Sequence, residues 1–149
     1  MKKYSIVLVI LLLVFSNCEK DDICIEATTP NLIIRFYDTN NPETIKAVSS
    51  LTVAANEKED IYTNVSLDSI IIPLNLAENS TTYKFKSGTK TDEIIFNYER
   101  KDVFVSRSCG YKTIFENLTV QTTNEWITNY IINNSTIENE TNAHINIYH

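Results

Sequence analysis

Glycine is nearly missing: the chain of 149 residues has two, with three prolines, one methionine and one tryptophan. Asn and Asp must therefore carry the turns, because their short polar side chains bond back to nearby backbone. Histidine is also scarce, at two, and no nucleophile motif accompanies either one. That leaves little from which to build a general acid–base site. Basic residues number 13 against 19 acidic, a net charge of −6. Nucleic-acid binding is excluded, since it needs clustered Lys and Arg to neutralise phosphates. No stretch of a dozen residues keeps a helical period, and there is no internal repeat or low-complexity segment. What is abundant is Ile, Thr, Asn and Tyr, a composition that favours sheets.

The first two dozen residues speak to location. Lys2 and Lys3 precede an unbroken apolar stretch from Ile6 to Phe15, followed by Ser16-Asn17-Cys18. The stretch is about ten residues, whereas a bilayer core needs about 20. A basic flank and a short apolar core fit export, with residues 1–17 as a lipoprotein signal peptide and Cys18 as the lipidated residue. The alternative is ordinary cleavage after Ser16, because Asn17 is larger than the residue usually found before a lipidated cysteine. Residues 18–23 then form a charged tether, and residues 24–149 a single β-domain. Residues 1–17 carry two of the basic residues and none of the acidic ones, so the remainder has a net charge of −8. Such a chain is repelled by anionic headgroups, so attachment to the membrane must come from acyl chains.

Three cysteines are odd for an exported protein until Cys18 is assigned to lipid, which leaves Cys24 and Cys109 as a pair. An oxidising compartment would join them. Closing a loop of about 85 residues stabilises a fold by roughly 4–5 kcal/mol on the chain-entropy argument. The rival reading makes Cys109, in Ser108-Cys109-Gly110, a nucleophile with His144 as its base.

The body reads as strands between polar turns. Leu32, Ile34 and Phe36 alternate with Ile33, Arg35 and Tyr37, a period of two. Ala47 to Ala54 is a second strand, Asn56 to Asp60 a charged loop, and Ser69 to Ile72 an apolar strand stopped by Pro73. Tyr83 and Phe85 alternate with Lys84 and Lys86, and Gly88 supplies a turn. Ile94, Phe96 and Tyr98 share one face; Glu99-Arg100-Lys101-Asp102 reads as the turn of a hairpin returning at Val103. Tyr111 to Phe115 and Leu118 to Thr122 continue the pattern. Trp126 to Ile132 fits a strand or a short helix, and Ile145 and Ile147 a closing strand. Seven to nine short strands predict an all-β, antiparallel sandwich, Ig-like or similar, with a small barrel as the alternative.

Most conspicuous side chains have plain structural readings. Trp126 fits a core position, and Tyr37, Tyr62, Tyr111 and Tyr148 fit surface positions that could stack on a glycan. His144 and His149 lack neighbours at ligand spacing, so no metal and no cofactor is expected. Asp38, Asn40 and Asn41 precede Pro42 as a turn rather than a calcium loop.

Several segments together resemble a family of small, uncharacterised lipoproteins of Bacteroidota. They are Cys18-Glu19-Lys20-Asp21-Asp22-Ile23-Cys24, Pro30 to Asp38, Ile72-Pro73-Leu74, Ser106-Arg107-Ser108-Cys109-Gly110-Tyr111 and His144-Ile145-Asn146-Ile147-Tyr148. The resemblance implies attachment to the outer membrane. Lys20, Asp21 and Asp22 resemble the acidic signal that sends such lipoproteins to the cell surface, and Asp68-Ser69-Ile70 resembles an O-glycosylation triplet centred on Ser69. It implies no catalytic residues. The expected role is a non-enzymatic accessory or binding subunit for an envelope protein such as an outer-membrane β-barrel. The alternative is a surface module that binds a glycan or another ligand.

Overall fold

A computed structural model describes residues 23–25, 28–55 and 58–149. It holds nine strands and no helix among the described residues: β1 (Leu32–Tyr37), β2 (Val48–Ala55), β3 (Asp60–Leu67), β4 (Ser69–Ile72), β5 (Ser80–Ser87), β6 (Lys90–Ser106), β7 (Gly110–Thr122), β8 (Asn129–Ile132) and β9 (Ile145–Tyr148). They form a four-stranded sheet, β4-β1-β9-β8, and a five-stranded sheet, β3-β2-β5-β6-β7. The all-β sandwich predicted from alternation is what the chain adopts, and it is not closed into a barrel. One pairing departs from an antiparallel scheme, since β1 and β9 run parallel, with Ile34 opposite Ile145 and Phe36 opposite Ile147.

Alternation sets the core. Leu32, Ile34 and Phe36 of β1 and Ile145 and Ile147 of β9 point inward from one sheet, and Leu51, Val53, Tyr83, Phe85, Ile94, Phe96 and Tyr98 from the other. Tyr83 packs edge-on against both Phe85 and Phe96, at ring separations of 6.4 and 6.2 Å. Such pairings add to the transfer of apolar area from water. With so little glycine, asparagine takes three of the four left-handed non-glycine positions among the described residues: Asn64, Asn117 and Asn124 have φ of 50°, 56° and 61°, and Ser50 is the fourth at 51°. Gly88 (φ 60°) opens the two-residue turn between β5 and β6, where Ser87 pairs with Lys90.

Three local expectations are corrected. Glu99 to Asp102 is not a turn but the middle of the 17-residue strand β6. Those side chains are exposed, while their partners on β7, Phe115 and Ile114, supply the buried apolar groups of this stretch. The chain reverses instead between Ser106 and Gly110. Asp60 to Leu67 was not anticipated as a strand; β3 is an edge strand whose residues are exposed or half-buried throughout. Bulges against β2 and the left-handed Asn64 erase its period of two. Trp126 to Ile132 divides into a loop and the short strand β8.

The β6–β7 hairpin accordingly outgrows the sandwich. Up to Tyr98 the inward residues of β6 are buried, and from Glu99 onward none is. The change coincides with a bulge, where Asn97 pairs with Thr119 but Glu99 pairs with Glu116, and the extra residues of β7 include left-handed Asn117. Bulges increase twist and bend a strand, and past the bridge of Phe115 to Ile137 the distal hairpin leaves the body as a two-stranded arm. Its free strands, Asp102 to Ser106 and Gly110 to Thr113, span about 15 Å. Lys101–Glu116 (2.9 Å) and the Thr113 hydroxyl donating to Asp102 (2.7 Å) brace its surface.

Cys24 and Cys109 form a disulfide at the arm's tip, with Cα atoms 4.9 Å apart and a sequence separation of 85. Lower down, the Thr113 N–H donates to the Thr29 hydroxyl (3.0 Å). The segment before β1 is thus held to the arm at two points. Because the bond joins exposed elements, its loss frees native chain as well as unfolded chain, which offsets part of the loop-closure gain. Cys109→Ser is expected to cost roughly 2–4 kcal/mol while leaving the sandwich folded. Denaturant titration with circular dichroism checks this, and an unchanged midpoint would count against a stabilising bond.

Candidate functional surfaces

The most constrained group is Asp92, which is fully buried. It stands in register with Ile94, Phe96 and Tyr98, so strand geometry turns its carboxylate inward. One oxygen accepts from the Thr123 hydroxyl (2.7 Å) and the Glu125 N–H (2.6 Å), the other from the Trp126 and Ile127 N–H groups (both 2.9 Å). Burial pushes its pKa up, but the bonds from Glu125, Ile127, Trp126 and Thr123 outweigh that and hold it below the usual carboxylate value. With every lone pair engaged, Asp92 organises the loop between β7 and β8 instead of meeting a substrate. The same loop seats Trp126, half-buried, with its indole N–H donating to the Phe85 carbonyl (3.0 Å).

Both histidines are engaged as well. His144 is buried; its Nδ1 accepts from the Ile33 N–H (3.0 Å), so Nε2 carries the proton and donates to the Asn139 carbonyl (3.1 Å). His149 Nε2 pairs with the Lys46 carbonyl (3.1 Å) and its ring lies edge-on to Trp126. Burial pushes both pKa values down, against the opposing pull of the Asn139 carbonyl and Glu140 on His144 and of the Lys46 carbonyl on His149. Cys109, whose sulfur is bonded to Cys24, and His144 are not brought together as nucleophile and base. No group of three or more His, Cys, Asp or Glu residues among the described residues could hold a metal ion.

The remaining sequence-derived positions fall as follows. Cys18, Lys20, Asp21 and Asp22 lie outside the described residues. Ser69 is half-buried at the start of edge strand β4, and its hydroxyl donates to Asp68 (3.0 Å). Asp38 makes a turn, its carboxylate accepting from the Asn40 N–H (3.1 Å) and from Lys46 (3.3 Å). Of the four tyrosines, Tyr148 is buried, Tyr37 lies over it at 5.7 Å, and Tyr111 stands exposed on the arm.

Tyr62 has a role no sequence pattern announced. Its hydroxyl accepts from the Ile71 N–H (3.1 Å) and donates to the Ile71 carbonyl (3.0 Å), pegging β3 of one sheet to β4 of the other. On the opposite side Tyr130 of β8 donates to Val120 of β7 (2.8 Å), and Ile137 exchanges backbone hydrogen bonds with Phe115. Strand edges on both flanks are therefore partly occupied, which narrows the room for a partner strand.

Between β3, the Pro73–Glu78 segment and β5 lies an open groove of about 870 Å³. Leu74, Leu76 and Ile61 give it an apolar lining, and Asn75, Ser80, Thr81 and Thr82 a polar one. Tyr83 reaches its floor, but its hydroxyl donates to the Pro73 carbonyl, and burial together with the nearby Tyr98 pushes its pKa up to about 12. Arg100, at the root of the arm, donates to Asn79 (2.8 Å) and to the Leu76 carbonyl, fixing the rim.

The profile of a family of unknown function (DUF6452) matches residues 50–149, from β2 through β9. The chain belongs to that family. No curated protein and no solved structure matches it. The family region of this DUF6452 member includes the whole arm, Asp92 and the groove, but starts after β1 and Cys24.

Two outcomes follow from the buried groups. Asp92→Asn places amide protons against backbone N–H donors and is expected to cost about 2–3 kcal/mol in a chemical denaturation curve; an unperturbed curve would refute the organising role. In acid, the histidines fold with pKa values below the unfolded value of 6.5, so the unfolded chain takes up more protons and stability falls as pH drops below it. Asp92 and Asp38, held below 3.8, add a second loss under that pH. A melting temperature that stays constant from about pH 7.5 to 4.5 would contradict the first step.

Proposed function

We propose that this protein is a non-enzymatic lipoprotein of the outer membrane. Residues 1–17 direct export, Cys18 carries the lipid, and Lys20, Asp21 and Asp22 direct it to the cell surface. The β-domain then serves as an accessory or binding subunit for another envelope protein, such as an outer-membrane β-barrel. The observation that supports this best is the bond from Cys24 to the arm. It makes the arm the point at which a tether from Cys18 reaches the domain, and leaves the sandwich free to meet a partner. A lipid tether confines the domain to a surface and raises its effective concentration there. The inward bonding of Asp92, His144, His149 and Tyr83 supports a binding role over a chemical one.

The groove beside Tyr83 supports a second reading, a module for a glycan or another small polar ligand, because hydroxyl and amide side chains line it together with the charged Lys58, Glu59 and Glu78. O-glycosylation at Ser69 belongs to the same proposal, and hexose additions in the intact mass would register it.

Replacing Cys18 by Ala is expected to move the protein from the membrane to the soluble fraction; retention in the membrane would remove the lipid from this account. Affinity purification from gently solubilised outer membranes is expected to yield one stoichiometric barrel protein. Recovery of the protein alone would shift the assignment to the ligand-binding reading.

A further inference from the structure

The four most exposed large apolar side chains among the described residues are gathered at one end of the molecule. Ile23 and Ile25 are 84% and 90% exposed, and Phe104 and Tyr111 60% and 70%. Ile23 and Ile25 flank Cys24, whose bond to Cys109 puts them at the arm's tip. Phe104 and Tyr111 face each other across the arm with ring centroids 5.4 Å apart. The tip is also distinct in charge. From Val103 to Tyr111 it carries Arg107 and no acidic residue, in a chain whose net charge is −6.

We propose that the tip of the arm rests in the headgroup region of a lipid bilayer, with Phe104, Tyr111, Ile23 and Ile25 as the inserted side chains and Arg107 beside lipid phosphates. Lys112 is held instead by the Glu138 carbonyl (3.1 Å). The inference rests on the lipoprotein reading. The length of the chain that precedes the domain favours a membrane over a protein as the occupant. Six residue steps separate Cys18 from Cys24, which at full extension reach about 20 Å. The tip cannot stand further than that from the acyl chains, whereas the body sits a further arm's length away. Aromatic side chains with a polar edge favour the membrane interface, and cations favour anionic headgroups. Glu19, Asp21 and Asp22 of the tether oppose the approach, so the apolar side chains carry most of it. Seated this way, the arm gives the domain a fixed orientation and lifts the groove and the strand edges away from the lipid.

The test uses the full-length protein reconstituted in vesicles of phosphatidylethanolamine and phosphatidylglycerol, with Phe104→Trp as the probe. The intact mass first establishes acylation of Cys18. Brominated lipid is expected to quench the tryptophan at position 104 about twofold, with a blue shift in its emission. The parent protein, whose one tryptophan is Trp126 in the loop after β7, bonded to Asp92 near the start of β6, gives the background emission and stays unquenched. Tyr111→Trp repeats the measurement if the first variant folds poorly, and Arg107→Glu is expected to reduce the quenching. An acylated protein whose probe emits as in water and is not quenched overturns the inference and leaves the lipoprotein reading intact. Protection of the probe only after outer-membrane proteins are added overturns it in favour of a protein partner. Absence of an acyl group overturns both.

Discussion

One buried carboxylate governs how the two sheets are joined. The chain leaves the five-stranded sheet at Thr122 and enters the four-stranded sheet at Asn129, and Asp92 gathers the intervening backbone with hydrogen bonds from four residues. A loop this close to the core would otherwise bury several N–H groups without partners, at a cost comparable to the bonds it lacks. Once it is fixed, Trp126 has a seat beside Phe36, β8 starts in position, and β9 is delivered to the centre of its sheet. The rest of the sandwich is ordinary alternation closing over this joint.

That alternation is why the fold class was legible. Leu32 to Phe36, Tyr83 to Phe85 and Ile94 to Tyr98 each show one face to water and one to the core. Legibility failed where the second sheet stops. Glu99 to Asp102 reads as a turn because that half of β6 is exposed and the apolar side of the hairpin there lies on β7 in Ile114 and Phe115, and β3 was invisible because its bulges break the period. Asp92 was findable in principle: it lies two residues before Ile94 on the inward parity, and a charged residue in that phase signals a buried anion with dedicated donors. The tyrosine pegs were not findable, since nothing local distinguishes Tyr62 or Tyr130 from tyrosines that merely cover the surface.

Of the candidate positions, the cysteine pair was legible by count, and the fold adds the place where it acts. The same bond seen in sequence as a staple for the domain is, in space, the junction between the leading segment and the arm. The groove was not legible at all, because its walls come from β3, β5 and the segment after Pro73, which only the two-sheet geometry brings together.

The parallel pairing of β1 with β9 has a consequence for how the chain is made. Residues 32–37 lie at the middle of their sheet, yet their inner neighbour is residues 145–148. While the C-terminal strand is missing, β1 can pair only with β4, and the inward faces of Ile34 and Phe36 have no completed wall beside them. Contacts of such sequence separation form late, after the entropy of closing a long loop has been overcome. A polypeptide synthesised from its N-terminus would therefore stay unlocked until its last strand was released, and would set into its final shape only then.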